Sequence, residues 1–576
     1  MFRASHRRTV LCAVLVCLAA CRQEEPEQSS DTEPRPDPTQ GLAELLREFT
    51  KRYYELSPSA AVNSGLHEYD GQLPDYSPEG VRTRVAWLEE MRLRTAAIDA
   101  QRLSAKQRLY RDYLAVVIDT ELFNIQTLKV LENNVWYGYL PLDPDLYLSR
   151  PYAPLRVRMD AYTKHVEGLP AAVAAMRHTL KPMPSGHAGV FQDYVAGLAK
   201  FVTTTPYDVF APVNDAARQA AMKKADDEAA AALNDLAQWI KAATRNEKFA
   251  LGPQKYAEML WALERIDTPI EELKAAAERD LERNLQALQH ACASFAPRSS
   301  LKECRAKVAS RKPADGPVAA ATRQLARLKR LIRDRNIVSI PTDPVVIVAE
   351  APPHQRSGTA YISVPGPHEK AVPSIYYISP PDSKWSLEEQ QQYLQSEADL
   401  MSTSTHCVWP GHILETFRSN LSGNPLAEFT YSYAFTEGWT HYSEEMMLHE
   451  ALDDDPELAI GQLQNALLGN VRMLASIGLH TGGMSLEESE QLFLEKAFSD
   501  PENARQEAVR GTFDPGYLFY SFGKLMILKL RDDWRASHPG SSLRDFHDAF
   551  LSYGSSPVTL VRKAMLGEAD DGKLFH

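Results

Sequence analysis

The segment THCVWPGHILETF, residues 405 to 417, sets His406 and His412 six positions apart around a Pro-Gly pair. Some twenty residues on, FTEGWTHYSEEMM, residues 435 to 447, carries a carboxylate at Glu437. Imidazole and carboxylate are the ligand types of a zinc centre, which takes three protein ligands and, where it is catalytic, leaves a fourth position to water. On an uninterrupted helix, positions six apart differ by about 240° in azimuth, so the two histidines could not share a face. Pro410 removes a backbone donor and Gly411 relaxes the backbone, so a bulge or kink between them would let both rings turn inward. Glu437, His441 and Glu444 recur at spacings of four and three, which lines them on one helical stripe between Phe435, Trp439 and Tyr442. The same residues also suit a helix end whose polar groups are satisfied internally, and residue types alone leave both readings open.

Other chemistries lack their usual patterns. The sequence has no His-Glu-x-x-His: the His-Glu pairs at His67, His368 and His449 each lack the second histidine. It also has no Gly-x-Ser-x-Gly elbow, no Gly-x-Gly-x-x-Gly and no phosphate loop, so serine-hydrolase, dinucleotide and nucleotide readings are unsupported.

The elements that must hold these residues are mostly helices. From about residue 41 to 335 apolar residues recur at helical spacing, as in GLAELLREFTKRYYEL, and long Ala-rich amphipathic runs follow, such as IEELKAAAERDLERNLQALQHACASF. Helices of this kind must pack on one another. Between Ile337 and Pro381 the segments DPVVIVAEAP, GTAYISVPG and SIYYISPP are short, rich in β-branched and aromatic residues, and predict a small antiparallel sheet at about 338–380. Helices resume with Ser383 or Ser386 as the cap, and the metal-site helices are expected at about 386–450. The fold class expected is mainly α.

At 576 residues, 44% of them hydrophobic, the chain can bury a large core, and a formal charge of -13 argues against nucleic acid or an anionic membrane surface as principal partner. Residues 1–20 read as a secretory signal peptide: Arg3, Arg7 and Arg8 precede an apolar run too short to cross roughly 30 Å of hydrocarbon. LAAC before Arg22 resembles a bacterial lipobox, which would lipidate Cys21; the alternative is an ordinary signal with a chance cysteine. By that resemblance, Arg22 in place of an aspartate points to the outer membrane, facing the periplasm, with membrane contact through the lipid anchor only. Residues 21–40, acidic and rich in Pro, Ser and Thr, read as a disordered tether, and 41–576 as a single large domain. Of the cysteines in that domain, Cys292 and Cys304 are either bridged or two free thiols, and Cys407 is left unpaired.

The chain resembles the bacterial family catalogued as domain of unknown function 885, whose motif His-Glu-x-x-Pro-Gly-His-His-Leu-Gln precedes Glu-Gly-Trp-Ala-x-Tyr-x-Glu; here stand HCVWPGHILE and EGWTHYSE. SPSAAVNSGLHEYDGQLPDYS, YYISPP, RMLASIGLH and DPGYLFYSFGKLMILKLR followed by FHDAFLSYG extend the likeness over nearly all of the chain after the tether. Members look like zinc peptidases of the gluzincin kind, distantly similar to thimet-type oligopeptidases and angiotensin-converting enzyme. What the resemblance implies is a large two-lobed helical body, a deep cleft beside the small sheet, and short peptides as substrate. It implies zinc at His406, His412 and Glu437, with His480 and Tyr520 as donors to a developing oxyanion. Arg472 and Arg510 would pair with a substrate carboxylate or with structural acids.

The chain departs from that pattern at Cys407, where the family's glutamate would take a proton from zinc-bound water, at Ile413 and at Glu415. Cys407 is then an inert residue in a degenerate site, a metal ligand, a redox-active or nucleophilic thiol, or a loss for which Glu415 compensates as acid and base. Three functions follow: an envelope lipoprotein that cleaves short peptides, a catalytically inactive relative that binds peptides or an envelope partner, or a structural helical lipoprotein whose polar stripe is packing.

Overall fold

Ala-rich amphipathic sequence forms long helices with one buried face each: Leu155–Thr179, Ser185–Val202 and Ala216–Ala242 pack around Tyr162, Val166, Phe191, Val195, Ala229 and Leu233. The computed structural model describes residues 38–134, 140–341, 344–352, 359–369 and 372–576. The signal peptide, Cys21 and the tether up to residue 37 lie outside the described residues. The first helix starts at Pro38, slightly before the expected domain boundary, and Pro38–His576 is one compact unit. Among the described residues four apolar clusters make up its core, and the largest contains Trp409, Phe435, Trp439 and Tyr442 of the two motif segments.

Among the described residues the body is mainly α-helical with one small sheet, as expected. Strands β1 (Val346–Glu350), β2 (Ala360–Ser363) and β3 (Ser374–Ile378) lie in the order β1-β3-β2. β2 pairs with β3 antiparallel, Tyr361 opposite Tyr377, but β1 pairs with β3 parallel, Val346 opposite Ser374, so the sheet is mixed rather than purely antiparallel. The chain passes from one edge to the other before filling the centre, a route that residue alternation within a strand does not encode. β2 forms one wall of a cavity of about 450 Å³ that is also lined by Asp145, Tyr147 and Arg150.

The helices that position the motif residues are α1 (Ile270–Phe295), α2 (Glu397–Cys407), α3 (His412–Leu421), α4 (Tyr433–Ala451), α5 (Pro456–Ile477), α6 (Pro501–Phe513) and α7 (Phe519–Ser537). Ser386, not Ser383, caps the short helix before α2, through a reciprocal pair with Glu389. Cys292 of α1 is bridged to Cys304, with Cα atoms 5.8 Å apart, which settles the alternative left open above; Cys407 is free and buried.

α4 and α7 approach closely because glycines meet at their crossing. A Cβ on Gly523 would lie 2.2 Å from the Ala434 carbonyl oxygen, and one on Gly438 would lie 2.5 Å from the Gly523 carbonyl carbon. Beneath the crossing, buried Lys524 of α7 donates to Asp280 of α1 and Glu445 of α4, each at 3.1 Å. Arg283 forks onto Glu445 at 2.7 and 2.9 Å, and Asn470 of α5 donates to Asp280 at 2.7 Å. Burial pushes both carboxyls up, but the Lys524 and Arg283 charges outweigh it and hold both below the usual range. Because these folded-state values are depressed, the stability they contribute is present above the unfolded value of about 4 and is lost as pH falls below it.

Two outcomes are expected in equilibrium unfolding. Gly523→Ala should lower stability by about 1–3 kcal/mol, since backbone rather than a mobile side chain opposes the new methyl. Lys524→Met, which leaves two buried acids short of a cation, should cost about 3–5 kcal/mol at neutral pH and progressively less below about pH 4. A cost independent of pH would remove the ionic network as its cause.

Candidate metal centre

The interruption between the two histidines is a full break. α2 ends at Cys407 and α3 starts at His412, with the chain doubling back so that the Gly411 amide donates to the Thr405 carbonyl at 3.0 Å. A Cβ on Gly411 would lie 1.7 Å from the His406 carbonyl oxygen, so glycine is the residue this contact admits. Trp439 of α4 pins the turn from the other side, donating its indole N–H to the Pro410 carbonyl at 2.8 Å. The expected kink therefore takes the form of two separate helices, and it leaves the His406 and His412 rings 4.8 Å apart and nearly perpendicular.

Glu437 of α4 completes a trio. Its Oε2 lies 3.7 Å from His406 Nε2 and 3.6 Å from His412 Nε2. Those separations exceed a hydrogen bond and lie near the roughly 3.3–3.5 Å between ligands of a tetrahedral zinc with bonds of about 2.0–2.1 Å. Glu437 Oε2 is buried without a hydrogen-bond partner, so the residues present fit a cation at this point. All three side chains keep 17–20% of their surface, which leaves the trio a path to solvent. Burial pushes the Glu437 carboxyl up, yet His412, His406 and His441 outweigh it and hold it down at about 2. His412 is raised in turn: burial disfavours its charge, and the Glu437 carboxylate more than compensates.

A carboxylate orients the first histidine. Glu444 Oε1 accepts from His406 Nδ1 at 2.8 Å, while its Oε2 accepts from the Ser402 hydroxyl at 2.7 Å. A carboxylate partner places the proton on Nδ1 and turns the Nε2 lone pair toward Glu437. His406, His441 and Glu444 form a second grouping whose ligand atoms lie within 4.8 Å of one another. Burial pulls His441 down to about 4, so its ring is neutral at neutral pH.

The remaining sequence candidates stand as follows. Cys407 is buried, and burial followed by the Glu437 and Glu444 charges pushes its thiol up to about 12. It belongs to neither metal grouping among the described residues. Glu415 is buried too and accepts from the Ser555 hydroxyl at 2.5 Å; burial raises it to about 7, and it also stands outside both groupings. His480 is committed to the Gly511 carbonyl of α6 at 2.8 Å, with its ring between Phe249 and Tyr256. Tyr520 does stand beside the site, edge-on to His441 at 5.4 Å, its hydroxyl accepting from Arg510 at 3.3 Å. The two arginines hold acids of the chain itself: Arg472 forks onto Glu507 at 2.8 and 2.6 Å, and Arg510 reaches Asp514 at 3.0 Å. The sequence spacing puts Glu444 and His441 on the stripe of Glu437 but carries no signal for what they face, since their partners come from α2 and α7.

The family model described as bacterial protein of unknown function, DUF885, matches residues 58–565. The chain belongs to this family. Among solved structures, a candidate lipoprotein from Shewanella oneidensis aligns with a TM-score of 0.76 at 22% identity, covering 91% of this chain and 99% of its own. One from Colwellia psychrerythraea aligns with a TM-score of 0.73 at 17% identity, covering 93% and 100%. At these identities the likeness establishes the fold. No curated protein matches the sequence.

Glu444→Gln should weaken zinc affinity about 10–100-fold, as loss of an orienting carboxylate commonly does. Competition against a chromophoric chelator measures this. Unchanged affinity would show that Glu444 does not set the His406 ring.

Proposed function

We propose that this family member is a lipid-anchored envelope protein that holds one zinc ion at His406, His412 and Glu437 and binds peptides there, with hydrolysis weak or lost. The observation that carries the reading is the convergence of two imidazole Nε2 atoms on one buried, unpartnered carboxylate oxygen. Two imidazoles and a carboxylate form a donor set suited to zinc. When bound, zinc would polarise a carbonyl or acidify a water.

What the protein itself supplies is ligand orientation, through Glu444, and a ring wall from His441 and Tyr520. What it lacks is a base at the expected place. A thiol raised to about 12 holds its proton at neutral pH, and Glu415 is turned to Ser555. General-base catalysis commonly contributes about 10² to 10⁴ in rate, so its loss alone would reduce peptidase activity to a small residue. The anchor is inferred from the LAAC sequence, and the two structural relatives described as candidate lipoproteins support it. A fully active peptidase is the second reading, favoured by the solvent path to the trio.

Purified protein should contain about one zinc per chain by elemental analysis, and His412→Ala should lose it. Cys407→Glu should raise chelator-sensitive cleavage of oligopeptides by about 10²-fold or more if the base is the missing part. Wild-type cleavage already at that level would favour the active reading, and a folded, metal-free chain would sink both.

A further inference from the structure

Charge is unevenly spread along the chain. Residues 298–335 hold twelve of its basic side chains against three acids, a local charge of +9 in a chain of -13. The overall charge that disfavours an anionic surface therefore averages over unlike parts. The helix Pro317–Asp334 shows what this does to the surface. Ala320, Leu325, Leu328 and Ile332 are on its buried side, and Arg323, Arg327 and Arg330 line the exposed side at spacings of four and three. Cations so spaced are neighbours on a helix and repel one another.

Other exposed helices of this protein pair a cation with an acid one turn away, as Arg82 with Glu79, Lys223 with Asp227 and Lys274 with Glu278. On Pro317–Asp334, Arg323 reaches Asp315 and Glu397, but Arg327 and Arg330, both exposed, make no ion pair or hydrogen bond with any described residue. A cavity of about 410 Å³ at this face gathers Arg311, Lys312, Arg323 and Arg327, and Glu397, Asp455 and Glu457 also line it. Four cations to three acids do not single out a small anion there. The unanswered charge runs on along the open helix to Arg330, and an extended positive face fits an extended negative surface.

We infer that the stripe of Arg323, Arg327 and Arg330 docks the body onto anionic lipid headgroups, adding a protein contact to the lipid one. This rests on the anchored reading for its nearness to a membrane: sixteen residues separate Cys21 from Pro38, a span of at most about 60 Å. Each Lys or Arg close to an anionic bilayer strengthens binding about fivefold, so the stripe orients a tethered body without having to hold it alone. The acidity of the rest of the chain opposes other orientations. Gln324 of the same helix donates to the Glu397 carbonyl at 2.9 Å and accepts from Ser404 at 3.1 Å, which ties the docked face to α2, the helix that carries His406.

The test sediments the mature chain from Cys21, prepared without lipid so that the stripe alone is read, with vesicles. Wild type should bind vesicles containing phosphatidylglycerol, ignore pure phosphatidylcholine, and be released by salt. Arg327→Gln with Arg330→Gln should weaken binding about 10–30-fold. Lys223→Gln with Lys224→Gln, which removes two exposed cations of Ala216–Ala242, should change it about twofold at most. Equal loss in the two double variants, or wild type that binds neither vesicle, overturns the docking stripe. Palmitate labelling of the full chain against Cys21→Ser reads the anchor separately. A labelled chain whose unlipidated form ignores anionic vesicles overturns the docking and keeps the anchor; anionic-vesicle binding by a chain that takes no label keeps the docking and overturns the anchor.

Discussion

The reversal at Trp409, Pro410 and Gly411 is the constraint on which the site depends. An α-helix advances about 100° per residue, so no continuous helix could present His406 and His412 to one point. The chain meets this by ending α2 one residue after His406 and restarting with His412 as the first residue of α3. The cost is a backbone contact so close that only glycine fits at position 411. Trp439 holds the turn by its Pro410 carbonyl, and Trp439 stands two residues after Glu437 on α4. One helix therefore both clamps the break and brings Glu437 to the two histidines. Its next turns supply His441 and the Glu444 that orients His406. Displacing α4 would disturb every part of the site at once, and the Gly438–Gly523 contact with α7 fixes where α4 lies.

Much of this was legible in the sequence, and the limits have physical causes. Apolar periodicity located the helices because burial of one face is a local property of the chain. The Pro-Gly pair announced an interruption, and the spacing of Glu437, His441 and Glu444 announced a shared stripe. β-Branched and aromatic composition located the strands but could not tell parallel from antiparallel pairing, which depends on the route between them; hence the mixed sheet. The direction of a polar side chain at the end of an element was also hidden. His480 sits in a turn just beyond α5, where the Gly511 carbonyl captures it, and Glu415 is claimed by Ser555, remote in sequence. His441 faces Tyr520 and Gly469 only because three helices converge there, and no local pattern records that.

Position 407 illustrates how a site can keep its structure while its chemistry changes. Cys407 follows His406 directly and is buried at the edge of the main apolar cluster, near enough to Glu437 and Glu444 for both charges to act on its thiol. A small, weakly polar thiol packs there with little cost, and burial keeps it protonated. A carboxylate on the far imidazole nitrogen commonly orients a metal-binding histidine, and Glu444 stands in that position on His406.

The acids of α4 argue for what belongs in the site. Glu444 and Glu445 are adjacent but meet different partners: Glu445 meets Lys524 and Arg283, and Glu444 meets His406 and Ser402. Each buried carboxylate has partners that offset the loss of water. Glu437 is the exception. It is held ionised by three histidines, yet its Oε2 is left without a hydrogen bond, at a distance from two imidazole nitrogens that is too long for a direct bond and suits a shared cation. The other buried carboxylates of this helix are met by the protein's own side chains, and this contrast is what favours the proposed cation beside Glu437. That electrostatic contrast within one helix supports the metal independently of any family likeness, because it depends only on charges, distances and the expense of burying an ion.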